Sequence, residues 1–164
     1  MGAISLTSGA QPLALTFDDF YRAEFPRVYR AAWLLAHHDE DALDATQEAF
    51  GRAFARWRRL RRHEWAVGWV ITTALNILRR RGRSQPPGHA EPQRAEEPTA
   101  DAVDLQRALR RLPRRQREAI VLFYVADLST HGVADLMGVS DGTVKAHLAQ
   151  GRQALKQLLE VRHA

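Results

Sequence analysis

The chain has 164 residues, a formal charge of +5 carried by arginine far more than by lysine, and no cysteine. That length holds one ordinary domain or two small ones, and the missing thiols exclude a disulfide framework, a thiolate zinc site and a thiol redox switch. Arginine-rich basicity makes nucleic acid the first partner to consider, because the guanidinium fork matches phosphates and base edges.

The first 14 residues lack the basic start and long apolar core of a signal peptide. No apolar run reaches the roughly 20 residues that span a bilayer. The reading is a cytoplasmic protein without membrane insertion, with a frayed tail over residues 1–14.

From Phe17 the spacing turns helical. Phe17, Phe20, Tyr21, Phe25, Val28, Tyr29, Ala32 and Trp33 recur at that period, with Pro26 set to kink or divide the helix. His37 to Asp41 reads as a solvated turn. Its adjacent histidines do not fall on one helical face at ligand spacing, so no metal site is expected. An amphipathic helix follows from about Ala42 to Trp57, and a third from about Trp65 to Arg81. Trp69 reads as core, and Trp65 is open between core and base platform.

Charge is segregated in this block. Residues 17–50 carry eight acidic side chains and three arginines, whereas residues 51–83 carry ten arginines and Glu64 alone. Mixed signs suffice for solubility; segregation points to two partners of opposite character, one of them polyanionic.

Residues 84–100 contain four of the seven prolines and no large apolar side chain. They read as a flexible linker that cannot offset its ordering entropy by burial. A helix from Asp101 to about Leu112 opens the second block, and Pro113 suits the first turn of the next helix, which carries Ile120, Val121, Phe123, Tyr124 and Val125.

Leu128 to Leu155 then reads as two helices around a tight turn. Ser129 caps the first, whose buried stripe is Val133, Ala134, Leu136 and Met137. Gly138 suits a left-handed C-terminal position. Ser140 caps the second, with Val144, Leu148 and Leu155 as its apolar face. Ala134, Gly138 and Val144 supply the small crossing residue, the turn residue and the aliphatic anchor of a helix-turn-helix. An ordinary helical hairpin is the bland alternative. The fold class is all-α: two small helical domains joined by a tether. No nucleophile–base set, phosphate loop or paired catalytic carboxylate stands out. Neither an enzyme nor a cofactor is expected.

Three patches occur in order: Asp44-Ala45-Thr46-Gln47-Glu48-Ala49-Phe50; Trp69 to Asn76 followed by Arg79 to Arg83; and Leu112-Pro113 followed by Gly138 to Lys145. Together they resemble the extracytoplasmic-function sigma factors of bacterial RNA polymerase, over roughly residues 15–83 and 101–160. The resemblance implies sigma domain 2 over residues 15–83, a linker over 84–100, and sigma domain 4 over 101–162. It further implies docking of Asp44, Gln47 and Glu48 on the clamp helices of the largest core subunit, with Phe50 packing beneath. A contact with the flap of the second-largest subunit is implied as well.

Minus-10 recognition and melting would fall to Asn76, at the position that holds a flipped base, with Arg79, Arg80, Arg81 and Arg83 along the phosphates and Trp57 to Glu64 as the adjoining loop. Minus-35 recognition would fall to Ser140, Thr143, Lys145, Ala146, Ala149, Gln150 and Arg152. Promoter DNA, core polymerase and an anti-sigma factor are the implied partners.

The chain departs from the family pattern at several points. Arginines are common where it has His147 and Gln150, an aliphatic residue where it has Thr73, and an acidic or polar pair where it has His131-Gly132. Gly151 replaces a non-glycine residue, at an expected cost of roughly 1 kcal/mol against alanine in an exposed helix interior. These departures bear on which minus-35 sequence is read. Two other readings compete: a conventional dimeric helix-turn-helix regulator, and a module that sequesters a polymerase subunit.

Overall fold

The computed structural model describes residues 15–82 and 98–163. The expected tail, almost all of the expected linker, and Arg83 lie outside the described residues. Eight helices are described: α1 Phe17–Leu35, α2 Asp39–Ala55, α3 Trp57–Leu60, α4 Ala66–Arg81, α5 Ala100–Arg111, α6 Arg114–Tyr124, α7 Thr130–Met137 and α8 Asp141–His163. No strand occurs among the described residues.

Thr16 and Asp19 start α1 with a reciprocal capping box: the Thr16 hydroxyl accepts from the Asp19 amide at 3.1 Å, and the Asp19 carboxylate accepts from Thr16. The Thr16 hydroxyl, donating to the Asp19 carboxylate at 2.6 Å, and then the Thr16 amide hold that carboxyl below its ordinary pKa. Pro26 does not divide the helix as expected; α1 runs unbroken for 19 residues. Pro26 is exposed, so the carbonyl it deprives of a partner faces water, while Phe20 and Val28 anchor the helix on either side.

Helix α2 begins earlier than its apolar pattern suggested. The expected turn residues Asp39, Glu40 and Asp41 form its first turn, where carboxylates suit the positive end of the helix dipole. Asp39 also accepts from the Trp33 indole at 2.8 Å, tying α2 to α1. The predicted continuation to Trp57 breaks at Arg56, and Trp57 opens the short α3 instead. Helices α1, α2 and α4 close the first core, centred on Phe50, Val70 and Ile71. Thr46 is its buried polar residue, satisfied by donating to the Ala42 carbonyl at 2.7 Å.

The second domain follows the expected pattern closely. Thr99 caps α5, accepting from the Ala102 amide at 3.2 Å. Pro113 sits at the cap of α6, one position ahead of the helical turn expected for it. The Ser129 hydroxyl accepts from the Gly132 amide, and Gly138 adopts φ +66°, the left-handed conformation assigned to it. Ser140 accepts from the Thr143 amide at 3.1 Å to open α8.

The two domains touch. Helix α5 lies on α1, and α4 meets α6 and α7. The Gln106 amide donates to the Trp33 and Ala36 carbonyls across this junction. Gly68 supplies the close approach on the other side: a Cβ there would collide with the Leu128 and Leu136 methyls. Arg79 faces Glu118 at 3.8 Å. His37 sits at the same seam, where burial foremost, and then the Arg110 charge, lower its pKa.

Candidate nucleic-acid and polymerase interfaces

On α2, Asp44 and Gln47 are exposed and Glu48 is half-exposed, while Phe50 packs beneath them in the core. Rings surround Phe50, including Tyr21 at 4.9 Å between centroids and Phe25 at 5.9 Å. The Tyr21 hydroxyl donates to Gln47 at 3.3 Å. Sequence reasoning missed two apolar members of this surface, Leu43 (45% exposed) and Phe54 (66% exposed). Their signal was present: Leu43, Gln47 and Phe54 recur at helical spacing on one face.

Arg81 joins two groups that the sequence kept apart. Its guanidinium reaches Asp44 and Glu48 at 3.4 Å each, and Arg52 also pairs with Glu48. The acidic face of α2 and the basic end of α4 are thus neighbours in space. Arg58, Arg59, Arg61 and Arg62 form an exposed basic edge on α3 and the turn after it. Trp69 is half-buried against the core, with Arg56 over its ring at 5.8 Å. Trp65 stacks on His63, with 4.3 Å between ring centroids, and also packs on the core. Thr73 donates to the Trp69 carbonyl at 2.8 Å, so its hydroxyl is satisfied within the helix.

Asn76 is half-buried and lines a cavity of about 120 Å³ with Thr72, Leu122, Leu136 and Met137. The α4 face that carries it is therefore turned toward the second domain. Arg79 is half-buried at the same junction and Arg80 is exposed.

On α8, Lys145, Ala146, Ala149, Gln150 and Arg152 are all exposed, while Val144, Leu148 and Gly151 are buried. The residues picked for base or phosphate contact thus share the outward side of one helix, with Lys145 and Arg152 two turns apart. Ser140 and Thr143 spend their hydroxyls on each other at 2.8 Å and on the cap. The Arg152 guanidinium donates to the Tyr124 hydroxyl at 3.2 Å. His147 is half-buried, with Nδ1 turned inward. Gly151 corrects an expectation: it is not in an exposed helix interior. It lies where α8 crosses α6, and a Cβ would stand 3.0 Å from Ile120 Cγ1. The glycine lets the two helices approach, which offsets its poor helix propensity.

The comparisons with known proteins decide what carries these surfaces. The family described as Sigma-70 region 2 matches residues 20–84, and Sigma-70, region 4 matches residues 102–155. ECF RNA polymerase sigma factor SigM of Mycobacterium tuberculosis is 32% identical over 87% of this chain and 76% of its own length. The chain belongs to the ECF RNA polymerase sigma factors. SigE of Mycolicibacterium smegmatis is 34% identical over 96% of the chain, which spans 66% of that protein. Among solved structures, the Bartonella quintana sigma factor RpoE in complex with the anti-sigma factor NepR matches with a TM-score of 0.69. It is 24% identical, covering 88% of this chain and 97% of that one. CnrH in complex with the cytosolic domain of CnrY gives a TM-score of 0.67 at 20% identity, covering 88% of each chain. These two structures share the fold.

In this sigma factor His131 bridges the two helices of the motif. Its ring lies 3.3 Å from the Asp141 carboxylate at the start of α8 and 3.7 Å from Asp135 on α7. The hydrogen bond to Asp141 first, then the charges of Asp135 and Asp141, raise its pKa above the ordinary 6.5. A folded-state pKa above the unfolded value stabilises below about pH 6.5 and ceases to do so as pH rises through the folded value. Melting of the full chain should therefore show His131→Ala less stable than wild type at pH 6, with the difference vanishing by about pH 9. A difference independent of pH contradicts the pairing.

Proposed function

We propose that this sigma factor divides promoter recognition between its two domains. The first docks on the clamp helices of the core polymerase's largest subunit through Asp44, Gln47 and Glu48, helped by Leu43 and Phe54. It holds a flipped minus-10 base at Asn76, with Arg79, Arg80, Arg81 and Arg83 serving the strand phosphates. The second domain lays α8 in the major groove of the minus-35 element and meets the flap of the second-largest subunit. Bond making belongs to the polymerase, and the setting is the cytoplasm. An anti-sigma factor, as in the complexes of both structural neighbours, fits as a regulating partner.

The observation that carries this reading is the outward side of α8. Lys145, Ala146, Ala149, Gln150 and Arg152 stand exposed beyond a capped turn in a helix-turn-helix. The chain's packing adds one condition. Because Asn76 faces the second domain, the domains part before the minus-10 element is engaged. Among the described residues no helix is long and apolar enough to cross a membrane.

Transcription by core polymerase plus this protein, on a fragmented genomic library of its host, tests the whole reading. Discrete starts that depend on the added protein support it; core binding without starts favours a sequestering module. On a promoter so identified, Asn76→Ala should lower permanganate reactivity of the minus-10 thymines about tenfold, the loss of roughly 1.4 kcal/mol, while closed-complex affinity stays within about twofold. Equal losses in both would remove Asn76 from melting. Replacing Lys145 and Arg152 together by alanine should reduce the salt slope of minus-35 binding by about 1.8, if each contacts one phosphate. An unchanged slope excludes those contacts.

A further inference from the structure

We propose that Gln116 of α6 is a specificity-determining positioning residue for the minus-35 element, acting through Gln150. The proposal rests on the reading of α8 as the minus-35 helix. Gln116 and Gln150 are 34 positions apart in sequence, yet Gln116 Nε2 donates to Gln150 Oε1 at 3.2 Å. Gly151 makes this contact available. It is buried at the α6–α8 crossing, and a Cβ there would stand 3.0 and 3.3 Å from Ile120 and 3.6 Å from Gln116 Cβ. Gln150 and Gly151 are therefore one arrangement. The glycine leaves room for α8 to lie against Ile120 of α6, and the approach sets the exposed Gln150 within hydrogen-bond reach of Gln116.

The chemistry of the amide gives that fixation a consequence. A free glutamine amide offers a donor and an acceptor and can turn either outward. With Oε1 accepting from Gln116, the end left free is the Nε2 group, a donor. A donor suits bases that present acceptors in the major groove, guanine through O6 and N7 and thymine through O4. It disfavours cytosine, which presents a donor there. Gln116 never needs to touch DNA; with its Nε2 group turned to Gln150 Oε1, it leaves Gln150 Nε2 as the end that does.

The test uses holoenzyme assembled from core polymerase and the full chain, on promoters carrying each base at every minus-35 position. Gln150→Ala identifies the position that Gln150 reads. Gln116→Ala should flatten preference at that same position by roughly two- to tenfold, the range of one net hydrogen bond. It should add nothing in the Gln150→Ala background and leave the salt slope unchanged. Gln116→Glu keeps the side chain's size but can only accept, so it should turn Gln150 Oε1 outward. Preference would then move toward cytosine or adenine, a change that a merely structural role would not produce. If Gln116→Ala melts early, Gln116→Glu carries the test alone. A position altered by Gln150→Ala but by neither Gln116 variant overturns the proposal and leaves the reading of α8 intact. Should Gln150→Ala alter no position, base reading by Gln150 fails and the proposal falls with it.

Discussion

Helix α4 is packed from two sides, and the rest of the structure depends on that. Ala66, Val67, Val70, Ile71, Ala74, Leu75 and Ile77 are buried, mainly against α1 and α2. Gly68, Thr72 and Asn76 turn instead toward α6 and α7. A Cβ at Gly68 would overlap the ends of the Leu128 and Leu136 side chains, so the glycine leaves those methyls room beside α4. The two sides differ in strength. Within the first domain each fully buried aliphatic or aromatic side chain contributes about 1.5–3 kcal/mol. Across the junction, hydrogen bonds such as those of Gln106 are worth about 1 kcal/mol each, and the Arg79–Glu118 pair less. Apolar contacts join them there, with Leu128 and Leu136 lying against Gly68. The second domain thus lies over the helix face that the proposed function sends to DNA, and that function requires this contact to open.

Charge follows a similar economy. Acidic and basic stretches stand apart along the sequence, but the α2–α4 packing brings their ends together at Arg81, Asp44 and Glu48. Surface pairs of this kind are worth roughly 0–1 kcal/mol each, so releasing the α2 carboxylates to the basic partner of the proposed function costs little. Arg58, Arg59, Arg61 and Arg62 remain on an exposed edge.

The helix-turn-helix was legible because its signals are local. Ser129 and Ser140 cap, Gly138 takes a positive φ, and the apolar positions repeat at helical spacing. The exposed face of α8 followed from the same periodicity. What escaped depends on contacts distant in sequence. Gly151 looked like a weakness in an exposed helix because nothing nearby in sequence shows Ile120 pressing on it. The pairing of Arg81 with Asp44 and Glu48 depends on the folding of α4 against α2, which cannot be read from either helix alone. Pro26 promised a break, yet packing on both sides of it outweighs one lost hydrogen bond. The packing of α5 on α1 and of α4 on α6 and α7 joins stretches distant in sequence, and nothing local at Gly68 signals it.

The most direct measurement is the distance between the domains with and without core polymerase. The chain has no cysteine, so Arg30→Cys on α1 and Asp101→Cys on α5, exposed residues lining one groove at the junction, take spin labels specifically. In the free protein a single short separation is predicted, moving to longer distances when core polymerase binds. The same short separation in the polymerase-bound protein would contradict the opening of this junction and the assignment of the Asn76 face to the minus-10 element.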